Sequence, residues 1–181
     1  MLKKIMLTLG VVVVLLASAY LYLDNRNRTL SPPGAVSLTN GSLTVDISYS
    51  RPSVRERIVF GEEGEALQGY GKYWRLGANE STEITFNQNI LIIDQPIAKG
   101  TYRMYAIPGP NYFEIRLNSE LGEWGAFDAD PALDLLTVMI PVMEDEHTEQ
   151  FTIGLEPLYD TGIKVVFDWA SIKMTLPINV Q

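Results

Sequence analysis

Residues Leu43–Ser50 read LTVDISYS, and the alternation of apolar and polar side chains in this stretch decides the fold. A period of two residues is typical of a half-buried β-strand, because successive side chains of a strand point to opposite faces of the sheet. The same period returns in five later stretches, which are Thr82–Phe86, Phe113–Leu117, Phe151–Leu155, Val165–Trp169 and Ile172–Ile178.

Two further stretches, Thr101–Ile107 and Leu135–Val142, are apolar on both faces and are predicted to be central strands covered on both sides. Pro177 lacks a backbone donor, so the last strand is predicted to lie at a sheet edge. One short helical turn is expected at residues 131–135, after an Asp-Pro pair. Short strands separated by turn signals predict an all-β domain over residues 35–181, a two-sheet antiparallel sandwich or jelly-roll-like domain.

The N-terminus carries a hydrophobic segment, Ile5–Leu23, that has no charged side chain over 19 residues. A helix of that length spans roughly 28 Å, close to the ~30 Å hydrocarbon core of a bilayer. Lys3 and Lys4 precede the segment, so the positive-inside rule leaves the N-terminus in the cytoplasm and exports the rest. Residues 1–23 are therefore predicted to be a membrane anchor or signal segment. The domain is expected in the cell envelope, on the periplasmic or extracellular side of the cytoplasmic membrane.

Two fates of the hydrophobic segment stay open. An uncleaved transmembrane helix would keep the domain anchored, whereas cleavage at the small-x-small site Ala17-Ser18-Ala19 would release it. Residues 24–34 are predicted to be a linker, and Pro32 and Pro33 predict that its end is stiff and extended. The domain is exported in either case.

The composition excludes several classes of site. The net charge is −8, and without Lys3 and Lys4 the exported part has 12 basic and 22 acidic side chains, or −10. A surface this acidic repels phosphate backbones, so nucleic acid is not an expected partner. The chain has no cysteine, which excludes disulfides and thiolate metal sites. The single histidine, His147, stands in an acidic run expected to be a solvated hairpin loop, and neither a metal nor a cofactor is predicted.

Residues 50–83 interrupt the regular β pattern with a dense group of polar, charged and aromatic side chains. The pieces are Ser50-Arg51-Pro52, Gly71-Lys72, Trp74-Arg75, Gly77-Ala78-Asn79-Glu80 and Thr82, followed further on by Gly100-Thr101-Tyr102 and Trp124-Gly125. With these motifs the chain resembles a bacterial exported family known as domain of unknown function 2911, over about residues Pro32–Ile178. The resemblance implies an exported, β-rich domain and implies no activity.

Two interpretations of this motif stay open. The first is a non-catalytic binding or scaffolding domain, because arginine forks bind anionic or hydroxyl groups and aromatic faces receive sugar rings. Its ligand would be a glycan or a peptide, and its site residues would be Arg51, Arg57, Trp74, Arg75, Asn79 and Glu80. The second is a buried structural clamp, in which Glu80 shares the core face of the following strand and pairs with Arg75 or Arg51. Asn79 would then adopt a left-handed conformation in the turn.

Two further functions are weighed against these. An envelope carbohydrate hydrolase would use Glu80 or Glu83 as acid or base, with a second carboxylate across a cleft, Asp128 or Glu123 beside Trp124. Within one strand Glu80 and Glu83 would point to opposite faces, so they fail as a pair by themselves. A structural partner-binding protein would instead act through an exposed sheet edge.

Overall fold

The computed structural model describes residues 2–122 and 127–181, and it begins with one helix, α1, at Leu2–Leu30. The strands that follow are β1 (Pro33–Asn40), β2 (Leu43–Ser50), β3 (Phe60–Gly61), β4 (Gln68–Gly69), β5 (Thr82–Phe86), β6 (Ile90–Ile92), β7 (Gln95–Ile97), β8 (Gly100–Ile107), β9 (Tyr112–Asn118), β10 (Asp134–Pro141), β11 (Met143–Leu158) and β12 (Gly162–Val180). A 3-10 turn at Pro131–Leu133 precedes β10.

Two antiparallel sheets form the domain. The six-stranded sheet has the order β1-β2-β5-β8-β9-β10, and the four-stranded sheet has the order β11-β12-β6-β7. They enclose one apolar core, in which Leu43, Ile84 and Leu176 have no exposed surface. The predicted fold class, an all-β antiparallel sandwich after an N-terminal helix, is confirmed. The short strands β3 and β4 form a separate parallel pair.

The two-residue period corresponds to burial in the six-stranded sheet. In β2, the side chains of Leu43, Val45, Ile47 and Tyr49 are buried, and β5 and β9 alternate in the same way. Residues 102–106 of β8 are buried without interruption, so both faces of this strand are covered, and β8 lies inside the sheet between β5 and β9. The prediction of a central strand at Thr101–Ile107 is confirmed.

The same prediction for Leu135–Val142 is wrong. This stretch forms β10, which ends the six-stranded sheet and pairs with β9 alone. Its burial alternates, and Leu135 and Met139 are 54% and 56% exposed. A continuous apolar run predicts coverage of both faces only if another layer packs against the outer face, and no described element covers this one.

Pro177 does not place β12 at a sheet edge as predicted, because β12 lies between β11 and β6. The proline is tolerated for a local reason. Pairing of β12 with β11 extends only to Lys173, and pairing with β6 begins at Ile178. Pro177 therefore falls between the two paired stretches, where its missing N–H breaks no ladder bond.

Two local predictions have different outcomes. The acidic run around His147 is not a hairpin loop but part of β11, where the His147 side chain is 56% exposed. The expected helical turn is confirmed as the 3-10 turn at Pro131–Leu133. Asp130 caps this turn by accepting a 3.0 Å hydrogen bond from the backbone N–H of Ala132.

α1 is apolar, exposed and long enough to cross a membrane, by length and composition. It does not end at Leu23 but continues through Leu30, and β1 begins at Pro33, so the expected extended linker is reduced to two residues. An ion pair of 3.1 Å between Asp24 and Arg28, one turn apart, supports the added turns. The end of α1 therefore lies directly beside the start of the β domain.

Candidate ligand-binding site

A cleft of about 430 Å³ lies where the end of α1 meets the domain. Its walls are the end of α1, the loop after β2, the segment from β4 to β5, and Trp169 of β12. A volume of a few hundred Å³ is typical of pockets that hold small ligands or parts of larger ones. The cleft also contains part of the polar motif that the sequence singles out, namely Pro52, Trp74-Arg75 and Gly77-Ala78-Asn79.

The loop after β2 forms one wall. Backbone hydrogen bonds of 2.8 Å at Val54 and Pro52 hold this loop against β11. Arg55 and Glu56 within it have left-handed φ values of 52° and 58°. Side-chain-bearing residues adopt this conformation at a cost, and it persists only where surrounding contacts impose it. The result is that Arg55 and Arg57 both line the cleft.

The segment from Trp74 to Asn79 forms the opposite wall. Trp74 pairs with Ala106 of β8 through two backbone hydrogen bonds of 2.8 Å. Gly77 is required next, because a Cβ at this position would lie 2.7 Å from the carbonyl oxygen of Ser50, and its φ is +150°. Asn79 has a φ of 56°, which confirms the predicted left-handed turn.

The electrostatic character of the cleft is positive. Three arginines line it, Arg55, Arg57 and Arg75, and none of its described lining residues is an aspartate or a glutamate. Within residues 2–122 and 127–181, none of the three forms an ion pair. Their guanidinium groups donate to the backbone carbonyls of Leu30, Ser53, Val54 and Asn79. No described carboxylate therefore lies within ion-pair distance, 4.0 Å, of the three guanidinium groups.

Arg75 is the innermost of these charges and is half-buried. Burial lowers the pKa of its guanidinium from the ordinary value, and the positive charge of Arg103 lowers it further, against the opposing effects of Tyr73 and Asp128. An anion placed beside Arg75 would stabilise the charged form against both effects.

Two tryptophans close the cleft towards the core. Trp74 and Trp169 are each 2% exposed, and their rings stack at 5.6 Å with an interplanar angle of 19°. The edges of Phe60 and Phe151 also pack against Trp74. The indole faces are therefore not available for stacking on a sugar ring. Both Nε1 atoms are buried, and neither has a hydrogen-bond partner among the described residues.

The end of α1 is attached to this site by side chains from both walls. Arg55 donates to the carbonyl oxygen of Leu30 at 2.7 Å, and the Asn79 side chain donates to that of Ser31 at 3.1 Å. The last carbonyls of a helix lack partners within the helix and carry partial negative charge, so cationic and amide donors stabilise them. The wall formed by α1 is thus fixed relative to the arginines.

Residues 31–178 match the model of a family described as a protein of unknown function, DUF2911. This chain belongs to the DUF2911 family. The resemblance seen in the Trp-Arg-x-Gly-Ala-Asn-Glu motif is thereby confirmed, and the motif lies at the cleft. No curated protein and no solved structure matches the chain significantly. The matched range excludes α1, so the cleft combines walls of the DUF2911 domain with a wall from the helix before it.

The DUF2911 domain brings together four of the six predicted site residues, which are Arg57, Trp74, Arg75 and Asn79. Arg51 and Glu80 do not line the cleft. The Arg51 side chain lies on β1, where its carbons would meet a Cβ on Gly34 at 2.9 and 3.1 Å, and it donates to the hydroxyl of Thr152 at 3.2 Å.

The sequence prediction missed the other residues of the cleft, among them Arg55, Trp169 and Leu30. Arg55 stands two positions before Arg57 in the same loop, and that spacing was an available signal. Trp169 was assigned only to a strand, and its strand pattern gives no indication of the neighbouring cleft. No sequence feature predicts the position of Leu30, because the residues around it do not indicate where the end of α1 contacts the domain.

The predicted buried clamp between Glu80 and Arg75 or Arg51 is not formed. Glu80 is ion-paired with Arg28 of α1 at 2.6 Å, and the two side chains are 44% and 45% exposed. The prediction assumed that Glu80 belongs to the strand and shares its core face. β5 begins only at Thr82, so Glu80 precedes the strand and turns towards the helix instead.

The two glutamates considered for catalysis, Glu80 and Glu83, are bound to different parts of the molecule. Glu83 accepts a 3.1 Å hydrogen bond from the backbone N–H of Gly122, whereas Glu80 binds Arg28. Glu123, with the adjacent Trp124 and Gly125, lies outside the described residues. No described carboxylate lines the cleft, so the two-carboxyl arrangement of a glycosidase has no support there.

Proposed function

We propose that this protein is a non-catalytic binding protein of the cell envelope. α1 anchors it in the cytoplasmic membrane, and the DUF2911 domain lies on the exported side. The ligand is a polar molecule, such as a glycan fragment or a peptide, and the cleft binds its anionic group. The observation that carries this proposal is the set of three arginines, Arg55, Arg57 and Arg75, without a carboxylate partner among the described residues.

The surroundings make this set unusual. The chain has 22 acidic side chains against 14 basic ones, so a cluster of arginines would find carboxylate partners easily. Like charges held together repel one another, and an anion offsets that repulsion. Guanidinium groups also match the geometry of carboxylate and phosphate oxygens, with two parallel hydrogen bonds to each. A bound anion therefore supplies what the cleft lacks.

The membrane anchor is supported by two features of α1. Its apolar residues are exposed along the helix, which suits a lipid environment better than water. Lys3 and Lys4 stand at its start, and the positive-inside rule then directs the DUF2911 domain to the exported side.

Titration calorimetry on the full chain in detergent micelles tests the binding proposal. The probes are methyl glucuronide against methyl glucoside, and an acidic peptide against its amidated neutral form. We expect the anionic member of at least one pair to bind at least tenfold more tightly. Arg57→Gln should weaken that binding about 10- to 100-fold, because a hydrogen bond to a charged group contributes about 1.5–3 kcal/mol.

Lys99→Gln is the matched control, since it removes one positive charge from an exposed side chain outside the cleft. Its affinity for the anionic probe should equal that of the unchanged protein. Equal affinities for the charged and neutral probes would contradict the proposal. An equal loss in Lys99→Gln and Arg57→Gln would reduce the effect to net charge and contradict it as well.

A further inference from the structure

The cleft lies at a defined height above the membrane. The apolar segment of α1 ends at Leu23, and Asn27 and Leu30 line the cleft. At 1.5 Å per residue they stand about 6 Å and about 10 Å beyond the end of the apolar segment. The polar layer on each side of a bilayer is about 5–8 Å thick. The lower part of the cleft is therefore level with the lipid headgroups.

Two features fix this height. Tyr20 and Tyr22 are 69% and 67% exposed at the outer end of the apolar segment, where aromatic side chains hold a helix at the interface. α1 then runs without a break to Leu30, whose carbonyl is bound by Arg55. No flexible linker separates the arginines from the membrane.

We infer that the anionic group bound in the cleft is the phosphate of a membrane phospholipid. This inference rests on the proposed function, and it names the source of the ligand. A phosphate offers several charged oxygens to three guanidinium groups, each of which carries five donors. It is also the anion that the bilayer presents at the height of Asn27, which lines the same cleft as Arg57.

The negative charge of the rest of the domain argues against nonspecific attraction of the protein to an anionic bilayer. The part of the chain outside Lys3 and Lys4 has a formal charge of −10, so an anionic bilayer repels it on average. Binding must then depend on the local arginines, as one lipid in one site. Arg57→Gln should weaken it at least tenfold, although the substitution removes a single charge.

Native mass spectrometry of the full chain released from detergent micelles tests this directly. The probes are phosphatidic acid, diacylglycerol with the same acyl chains, and inorganic phosphate. We expect one phosphatidic acid to be retained at least tenfold more strongly than diacylglycerol. Arg57→Gln should lower that retention at least tenfold, and Lys99→Gln should leave it unchanged. Arg57→Lys, which keeps the charge but loses the planar fork, should lie between them.

Each other outcome overturns the inference. Equal retention of phosphatidic acid and diacylglycerol would show that the acyl chains, not the phosphate, are bound. Tighter binding of inorganic phosphate than of phosphatidic acid would assign the cleft to a soluble anion, and the proposed function would survive. If no anion binds to a protein with a native circular-dichroism spectrum, both the phospholipid inference and the proposed function are wrong.

Discussion

The molecule holds its arginines in two contrasting regions. Arg103 of β8 is fully buried and is bound by Glu120 at 3.0 Å and by the hydroxyl of Tyr73 at 2.6 Å. Arg116 of β9 binds Asp134 at 2.9 Å and also pairs with Glu114. The cleft arginines, by contrast, have only backbone carbonyls as described partners. The same residue type is a structural element in one region and an available donor in the other.

The difference shows that the groups bound to an arginine side chain, rather than the presence of the arginine, indicate its function. A buried guanidinium with carboxylate and hydroxyl partners is committed to them, and removing it leaves those partners without their donor. A guanidinium held by carbonyls keeps its positive charge available to a ligand. Sequence motifs contain both kinds and do not distinguish them.

The largest expected effect compares the two regions by stability. Arg103→Ala should lower the free energy of unfolding by about 3–5 kcal/mol, because it removes a large, fully buried side chain and leaves Glu120 and the hydroxyl of Tyr73 without their donor. Arg57→Ala, at an exposed cleft position, should lower it by about 0.5–1 kcal/mol. Urea unfolding followed by circular dichroism measures both. Equal losses of unfolding free energy in the two variants would contradict the distinction between structural and cleft arginines.

A smaller effect is the pH dependence of stability, which we expect from Tyr105, beside the paired arginine Arg116. Burial and a hydrogen bond to Asp134 raise the pKa of Tyr105 to about 12, against about 10 when unfolded. The folded state thus favours the neutral phenol. This contribution is fully present below pH 10 and is lost as the pH rises from 10 to 12.

Between pH 9 and pH 11 the free energy of unfolding should therefore fall by about 1 kcal/mol less in Tyr105→Phe than in the unchanged protein. Urea unfolding at the two pH values gives the difference. Tyr159→Phe is the matched control, because it makes the same substitution at a side chain that is 88% exposed. Identical pH dependence in Tyr105→Phe and the unchanged protein would show that the buried phenol is not the source.

Most of the sandwich was predictable from local pattern. Alternation in β2 and β5 reports directly which side chains face the core, because the period of a strand fixes the face. The errors arise where burial depends on distant elements. β10 has the apolar residues of a central strand, but its outer face has no described covering layer. β12 contains Pro177, but its pairing partners change next to that residue.

The site was predictable only in part. The density of arginine, tryptophan and asparagine in residues 50–83 identified four cleft residues, since they lie in two adjacent segments of the chain. The partner of Glu80 was not predictable, because Arg28 is 52 residues away in a segment expected to be a linker. The role of Trp74 was also not predictable, since only packing shows that Trp169 covers its face.

Replacement of one cleft amide by a carboxylate tests the central claim most directly. Gln68 lines the cleft, and Gln68→Glu would give its arginines the acidic partner that they lack, with almost no change in shape. The account predicts that calorimetric titration with an anionic probe shows at least tenfold weaker binding, while the free energy of unfolding stays equal or rises. Undiminished anion binding by Gln68→Glu would contradict the claim that unpaired arginines make this cleft a site.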